Sequence, residues 1–542
     1  MPKESLAEQQ PRPQAELDDC PPIEEALGPG KSHGMAATYT RNAAISLGRL
    51  IVTSLVALLL PAYLTHKLPV KTYSAWVLIL QLSAYVSYLD FGVQTAVSKY
   101  IAEYEATGDT NGANLRASAG FCITLMTSIL GVLMTLILAW RVPQIFHEMP
   151  SSLYRDVRIS LVLIGSSLSF GLLCSVFAAI FIGLHRYAVP MVLSIINRII
   201  FTAVVSVAVF FHSSLAVIGA LVAIVNIATG FLQIAAWRKL ASRIQVRLQG
   251  LDYGTLKEML GYCSALAIWS AGMLCVSGLD VTIVGRYDFS QTGFYSIATL
   301  PNTFMIAIMG AALAPFIPTT SALNTQRSPR EMGSLLSRTT RYSTILLLLS
   351  GLPLLVGGYW ILRVWVGPNY ALQCIGYLRI LVLANIVRTL CAPYATMLVA
   401  TNSQRVAIGG AIAEAVVNVM GSIYLARHIG AIGVAYGTLL GAFISVSTHF
   451  VLNMHYTYRK FSVSRAQLFW TGVLRPAAIA LPSILLLRLW WSSAAPWFGL
   501  RTWLIWAAST LLIAWFVGLN AGERRRLVGL AQSRFRLSPR YS

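Results

Sequence analysis

Charge is what this 542-residue chain has little of: 11% of its residues are Asp, Glu, Lys or Arg, against 56% hydrophobic. Soluble domains carry about 25% charged residues, and a single soluble core stops growing near about 250–300 residues. A chain this long and this apolar needs an apolar solvent. That excludes a soluble enzyme, a disordered regulator and a DNA-binding protein. Cysteine motifs are missing as well. Cys20 lies in the N-terminal tail, and Cys122, Cys174, Cys263, Cys275, Cys374 and Cys391 sit inside apolar runs with no CxxC pair. They read as small packing residues, not as a disulfide framework or a metal site. No HExxH, P-loop or GxSxG pattern occurs, so no catalytic residue is expected. A secretory signal is also missing, because the first apolar run starts near residue 42 behind an acidic, Pro-rich segment.

What the chain has is apolar runs. A spanning helix needs about 20 apolar residues, and fourteen runs meet that need: 42–66, 72–95, 114–140, 157–184, 187–211, 214–238, 256–285, 292–318, 341–365, 371–400, 404–428, 431–456, 468–489 and 498–519. The expected fold is an all-α polytopic membrane protein of about fourteen spans. Residues 1–40 lack an apolar period and are expected to be a disordered tail. Residues 520–542 form a basic tail, with six arginines against Glu523.

The formal charge of +21 is unevenly spread: residues 1–40 carry −4 and the rest +25. With the N-terminus inside, the tails and inner loops hold 27 of the 41 Lys and Arg residues and the outer loops 10. The positive-inside rule therefore places both termini in the cytoplasm, with the chain in the inner (cytoplasmic) membrane. The densest inner clusters are Arg238, Lys239, Arg243 and Arg247; Arg327, Arg330, Arg338 and Arg341; and Arg459, Lys460 and Arg465. Such clusters lie against anionic headgroups, so membrane lipid rather than nucleic acid is the expected partner of the net charge. The longest outer loop is expected at about 141–156, and inner loops stay under about 25 residues. No soluble domain interrupts the spans.

A shift of 222 residues lays Tyr73-Ser74 on Tyr295-Ser296 and Arg116 on Arg338, each pair at the same point of a hairpin. Asn197 echoes Asn418, and Ile218-Gly219 echoes Ile432-Gly433. A six-span unit appears twice. Six is even, so the copies share one orientation and a pseudo-two-fold axis along the membrane normal, with a site expected between them. The chain then divides into the tail 1–40, an N-lobe 41–240 (spans 1–6), a linker 241–256, a C-lobe 257–460 (spans 7–12), two extra spans in 461–519, and the tail 520–542.

Two stretches carry a family resemblance. One is Tyr73-Ser74-Ala75-Trp76 through Leu89-Asp90-Phe91-Gly92-Val93, followed by Tyr100-Ile101-Ala102-Glu103. The other is Leu279-Asp280, Gly285-Arg286 and Gly293-Phe294-Tyr295-Ser296-Ile297-Ala298. They resemble the oligosaccharide flippase, or polysaccharide transporter, family of the multidrug/oligosaccharidyl-lipid/polysaccharide exporter (MOP) superfamily. The resemblance covers roughly residues 40–460; Ser74 departs from it, since the family commonly has Gly after the Tyr. It implies a two-lobed, MATE-like fold that moves a polyprenyl-pyrophosphate-linked oligosaccharide from the inner to the outer leaflet by alternating access. It also implies spans 1, 2, 7 and 8 around a central cavity.

Inside the spans remain four arginines (Arg49, Arg198, Arg379, Arg388) and three acids (Asp90, Asp280, Glu414). Each costs on the order of 3 kcal/mol or more unless it meets water or a partner. Arg388 and Glu414 flank the turn near residue 402 by 14 and 12 residues, which predicts a salt bridge at about 1.5 Å per residue. Arg49 and Asp90 flank the turn near 68–69 at similar depth and form a second candidate pair. Asp280 and Arg286 are expected near the outer end of span 7, within reach of headgroups or water. Arg198 has no acid on spans 4 or 6; only Asn197 and Asn226 stand near it. It calls for an anion, which its planar fork would bind bidentately if phosphate, or else for snorkelling or bonding to helix carbonyls. Arg379 and Arg388 are nine residues apart, on opposite sides of a straight helix. Gly433, Gly437 and Gly441 predict a close helix approach on span 12, and Pro61, Pro301 and Pro393 predict kinks.

The expected substrate contacts are therefore Arg49, Arg198, Arg379 and Arg388, with Asp90, Asp280, Arg286 and Glu414 as coupling or charge-pair candidates. No cofactor is expected; a proton or sodium gradient is the conceivable driving force. The reading is a flippase for a lipid-linked glycan, working with polysaccharide polymerase and export machinery. The alternatives are a drug or cation exporter, a membrane enzyme, or a scaffold of a polysaccharide-assembly complex.

Overall fold

The computed structural model describes residues 48–49, 52–247, 253–326, 328–492, 500–519 and 521–525. Both tails' outer parts, 1–47 and 526–542, and residues 248–252 of the expected linker lie outside the described residues. Among the described residues every regular element is helical, as it must be in lipid, where backbone N–H and C=O groups find no water. Twelve helices are long and apolar enough to cross a membrane, from Val70–Thr107 to Arg465–Leu486. Two shorter apolar helices, 52–67 and Leu504–Gly518, occupy the positions of the first and last runs. The protein is a multi-pass membrane protein, and the spans are numbered 1–14 below.

The helices outrun the apolar runs at the connections. The third span is Thr110–Ile145 and the ninth Pro329–Val366; at 1.5 Å per residue the latter's 38 residues extend about 57 Å, well beyond a hydrocarbon core of about 30 Å. The expected outer loop at 141–156 shrinks to the residues between Ile145 and Ser151. Short connections are possible because side chains cap the ends. Asp109 accepts the Gly112 N–H at 2.9 Å, and Ser214 and Ser464 act in the same way on Val217 and Gln467.

Spans 2 and 7 break away from any proline, while span 8 breaks at Ala314-Pro315 and span 10 between Thr389 and Ala392. Span 2 runs Val70–Ala84, tightens into a 3-10 stretch Tyr85–Asp90, turns through left-handed Phe91 (φ 47°) and Gly92 (φ 72°), and resumes at Val93–Thr107. An added Cβ on Gly92 would stand 2.3 Å from Leu266 of span 7. Span 7 runs Tyr253–Met273, widens over Leu274–Gly278, and restarts at Asp280–Tyr287. Pro301 instead sits within an unbroken Thr292–Leu313, and Pro61 within an unbroken 52–67. Of the three expected proline kinks, only the one at Pro393 coincides with an interruption, between Thr389 and Ala392.

Packing repeats between the halves. Span 4 packs on spans 2, 3 and 6, and span 10 on spans 8, 9 and 12; span 6 also packs on span 5, as span 12 does on span 11. Span 12 lies closest to span 11: a Cβ on Gly437 would fall 2.3 Å from Ser422 Oγ and 2.4 Å from its backbone N. Spans 13 and 14 fasten to span 9, with Gly472 against Thr340 and Gly518 against Ile345. Outward faces remain apolar, as on span 3, where Met126, Ile129, Leu133, Ile137 and Trp140 are all exposed in a lipid-facing stripe.

Candidate functional site

The lobes meet along spans 2, 7 and 8. The repeated motif of span 2 touches its own counterpart: Ser74 Oγ accepts the Gly293 N–H at 3.0 Å, and a Cβ on Gly293 would lie 2.8 Å from the Tyr73 ring. Nearby, Glu148 accepts the Phe289 N–H at 3.0 Å, and Arg286 donates to the Ile145 carbonyl at 3.2 Å. Trp365 of span 9 donates to the Leu58 carbonyl of span 1 at 2.6 Å. Deeper in, the break of span 7 supplies free carbonyls to both lobes. Gly278 O accepts from Gln81 at 2.7 Å and from Tyr85 at 3.1 Å, while Val276 O accepts from Asn418 of span 11 at 2.7 Å. At the opposite, basic face the start of span 7 rests on the N-lobe, where Glu258 bonds Arg116 at 2.6 Å and Tyr100 at 3.1 Å. Span 7 is thus held by the N-lobe at its start and by both lobes at and beyond its break.

The C-lobe encloses a buried polar cluster. Arg388 Nε lies 2.5 Å from Glu414 Oε1, with side chains 24% and 10% exposed. Asp280 is 7% exposed; its Oδ2 accepts from Thr438 at 3.1 Å and from Tyr295 at 3.4 Å, and it lies within electrostatic reach of Arg388. Three separate spans, 7, 10 and 11, therefore contribute two carboxylates and one guanidinium, and spans 8 and 12 contribute the hydroxyls that hold Asp280. Arg388 Nη2 is buried with no hydrogen-bond partner, as is Asn385 Nδ2 one turn away. The cluster has one cation too few for its acids and unfilled donors beside them, so its charge balance changes whenever a cation enters or an acid takes a proton.

The structure relocates several sequence candidates. Asp280 is not at a wet outer end; spans 8 and 12 enclose it. Arg286 does stay exposed at the lobe edge. Arg49 is exposed, and no ion pair joins it to Asp90 among the described residues. The depth count assumes one straight α-helix, whereas Asp90 ends a 3-10 stretch that rises about 2 Å per residue. Asp90 stands instead beside the backbone N–H groups of Gly92 and Gln94, with Oδ1 buried and unpartnered. Arg379 Nε donates to the Leu355 carbonyl of span 9 at 3.1 Å. Arg341, counted among the loop charges, is 5% exposed and paired with Glu523 beyond span 14.

Arg198 is half-buried, with Nε buried and lacking a hydrogen-bond partner; its guanidinium carbon lies 5.5 Å from the Phe201 ring centre. Its neighbour Asn197 turns away, donating to Thr229 at 2.9 Å, while Asn226 donates to Ser167 at 3.0 Å. The amides that stood near Arg198 in sequence are thus occupied with one another. Sequence reasoning missed Tyr295, Thr438, Asn385, Gln81 and Tyr85 as site residues. For Thr438 a signal existed, since it follows Gly437 on the close-packed face.

Similarity to known structures supports the architecture. No protein-family model matches the sequence, and no curated protein matches it. The fold is that of MOP-superfamily transporters. It aligns with an inward-facing multidrug resistance MATE family transporter of that superfamily at TM-score 0.63 and 14% identity, covering 76% of this chain and 96% of that one. It aligns with the lipid II flippase MurJ in an inward closed conformation at 0.64 and 12%, covering 88% and 98%. A MOP superfamily transporter from Pyrococcus furiosus aligns at 0.54 and 12%, covering 78% and 95%.

Proposed function

We propose that this protein flips a polyprenyl-pyrophosphate-linked oligosaccharide from the inner to the outer leaflet of the cytoplasmic membrane, for surface or exported polysaccharide synthesis. The observation that carries this reading is Arg198. A half-buried guanidinium at membrane depth without an acid is stabilised by a phosphate, which fills its planar fork with two oxygens. Arg49 adds positive charge; Arg388, paired with Glu414, offers only its unfilled Nη2, and Arg379, already held by a carbonyl, is the weakest of the four candidates. Four arginines against three acids within the spans oppose a cationic substrate. The MurJ likeness supports a lipid substrate, and the basic loops support cytoplasmic termini. Asp280 and Glu414 would couple transport to a proton or sodium ion, because neutralising either one releases part of Arg388's charge. The broken spans 2 and 7 would supply the bending that alternating access needs.

The test is Arg198→Ala, in cells and in vesicles loaded with a lipid-linked oligosaccharide. Transport should be lost while protein level and thermal unfolding stay unchanged. Full transport in the variant would remove Arg198 from the substrate site, and inhibition of the wild type by organic cations would favour the drug-exporter reading.

A further inference from the structure

The acid count along the chain is uneven: between Glu414 and Glu523 there is no Asp or Glu at all. Within that stretch the turn joining spans 12 and 13 forms a pocket of about 730 Å³ lined by His455, Tyr456, Tyr458, Ser464 and Arg465. We propose that this pocket is a binding site for the phosphate of an anionic lipid headgroup, separate from the lobe interface and independent of what crosses it.

The pocket is built, not merely charged. Ser462 adopts a left-handed conformation (φ 49°), and span 9 seats the turn, since a Cβ on Gly333 would lie 2.5 Å from the Phe461 carbonyl. Arg465 Nη2 stands 2.9 Å from His455 Nδ1. A guanidinium only donates, so Nδ1 accepts, and neutral His455 keeps its Nε2–H as a further donor. Lys460 donates to the Thr401 carbonyl at 2.9 Å and to Ser403 Oγ at 2.7 Å; both acceptors are neutral, so its charge is uncompensated. Among the described residues, no ion pair engages Arg465 or Lys460. Ser464 Oγ accepts the Gln467 N–H at 3.1 Å, which leaves its own hydrogen to donate. Arg465, His455 and Ser464 line a concavity whose own segment supplies no carboxylate, which suits a phosphate.

A lipid, rather than a soluble phosphate, fits the surroundings. Tyr456 and Tyr458 are exposed, in the manner of aromatics at a headgroup boundary. Val451 and Leu452 on span 12, with Phe469 and Trp470 on span 13, are exposed one turn further into the membrane, where acyl or prenyl chains lie. The headgroup chemistry is shared by membrane phospholipids and by a polyprenyl pyrophosphate.

Native mass spectrometry of the full-length protein, titrated separately with phosphatidylglycerol, undecaprenyl pyrophosphate and phosphatidylcholine, tests the site. Arg465→Gln should cut retention of the anionic lipids about fivefold, the effect of one basic group near the headgroup plane. Arg525→Gln, which removes an equal charge elsewhere on the basic face, should leave it unchanged. Loss of both anionic lipids assigns a membrane phospholipid; loss of the polyprenyl lipid alone assigns the prenyl carrier. Equal loss in the Arg525 variant, or no loss in the Arg465 variant, overturns the site. His455→Phe keeps an aromatic ring but removes both ring nitrogens, so it should lower retention of the anionic lipids; unchanged retention overturns the site even where Arg465→Gln fails to fold.

Discussion

Removing the cation of the C-lobe cluster should cost more than removing either of its acids. Breaking a buried ion pair by deleting one partner costs about 3–5 kcal/mol, because a lone charge is left in low dielectric. The two deletions are not equivalent here. Glu414→Gln leaves Arg388 with the field of Asp280, so its cost falls at or below the low end, about 3 kcal/mol. Arg388→Met strands two carboxylates with no cation between them, so its cost reaches the high end, about 5 kcal/mol. Reversible unfolding in mixed micelles measures both. A Glu414→Gln variant as unstable as Arg388→Met, or both costs under about 1 kcal/mol, would refute the three-residue cluster. The charge swap R388E/E414R carries a further signature. It puts a carboxylate where Asp280 already faces the site, so it should restore only part of the lost stability. Adding Asp280→Asn to the swap should restore more. Full recovery by the swap alone would show that Asp280 does not share Arg388.

Other predictions follow from single contacts. Gly437→Ala forces a methyl against Ser422, where a Cβ would sit at 2.3 Å; overpacking of this kind costs about 1–3 kcal/mol, and unchanged unfolding would contradict the close approach of spans 11 and 12. Glu523→Gln leaves Arg341 buried without its partner, so tryptic cleavage at Arg524 and Arg525 should quicken as the segment after span 14 loosens. An unchanged cleavage rate would show that the pair does not anchor it.

Much of this architecture was legible in the sequence because lipid imposes a simple rule. Each run of about 20 apolar residues forms a helix, as no other single segment satisfies its own backbone there. The fourteen runs, the two-lobed order and the depth of Arg388 against Glu414 all follow from counting residues along straight helices. Counting failed where helices are not straight. The Leu89–Val93 motif and Leu279-Asp280 were readable as a resemblance, yet their meaning is geometric: they lie at the breaks of spans 2 and 7. Asp90 ends the 3-10 stretch just before the break in span 2, and neither break coincides with a proline. Arg341 was misplaced for a related reason, since a charge counted as part of a loop sits on a helix that Glu523 covers.

The sequence by itself determined the solvent, the order of the apolar runs and which few charges had to be explained, since those depend on composition and distance along one chain. Only the tertiary structure decided which way those charges point. In a soluble helix one apolar face marks the core, whereas here both the protein-facing and the lipid-facing sides are apolar. Leu133 of span 3 is exposed and Val142 buried, and nothing in their chemistry separates them. The partners of Asp280 come from spans 8 and 12, so close packing of separate helices made that site, and no spacing along the chain records it.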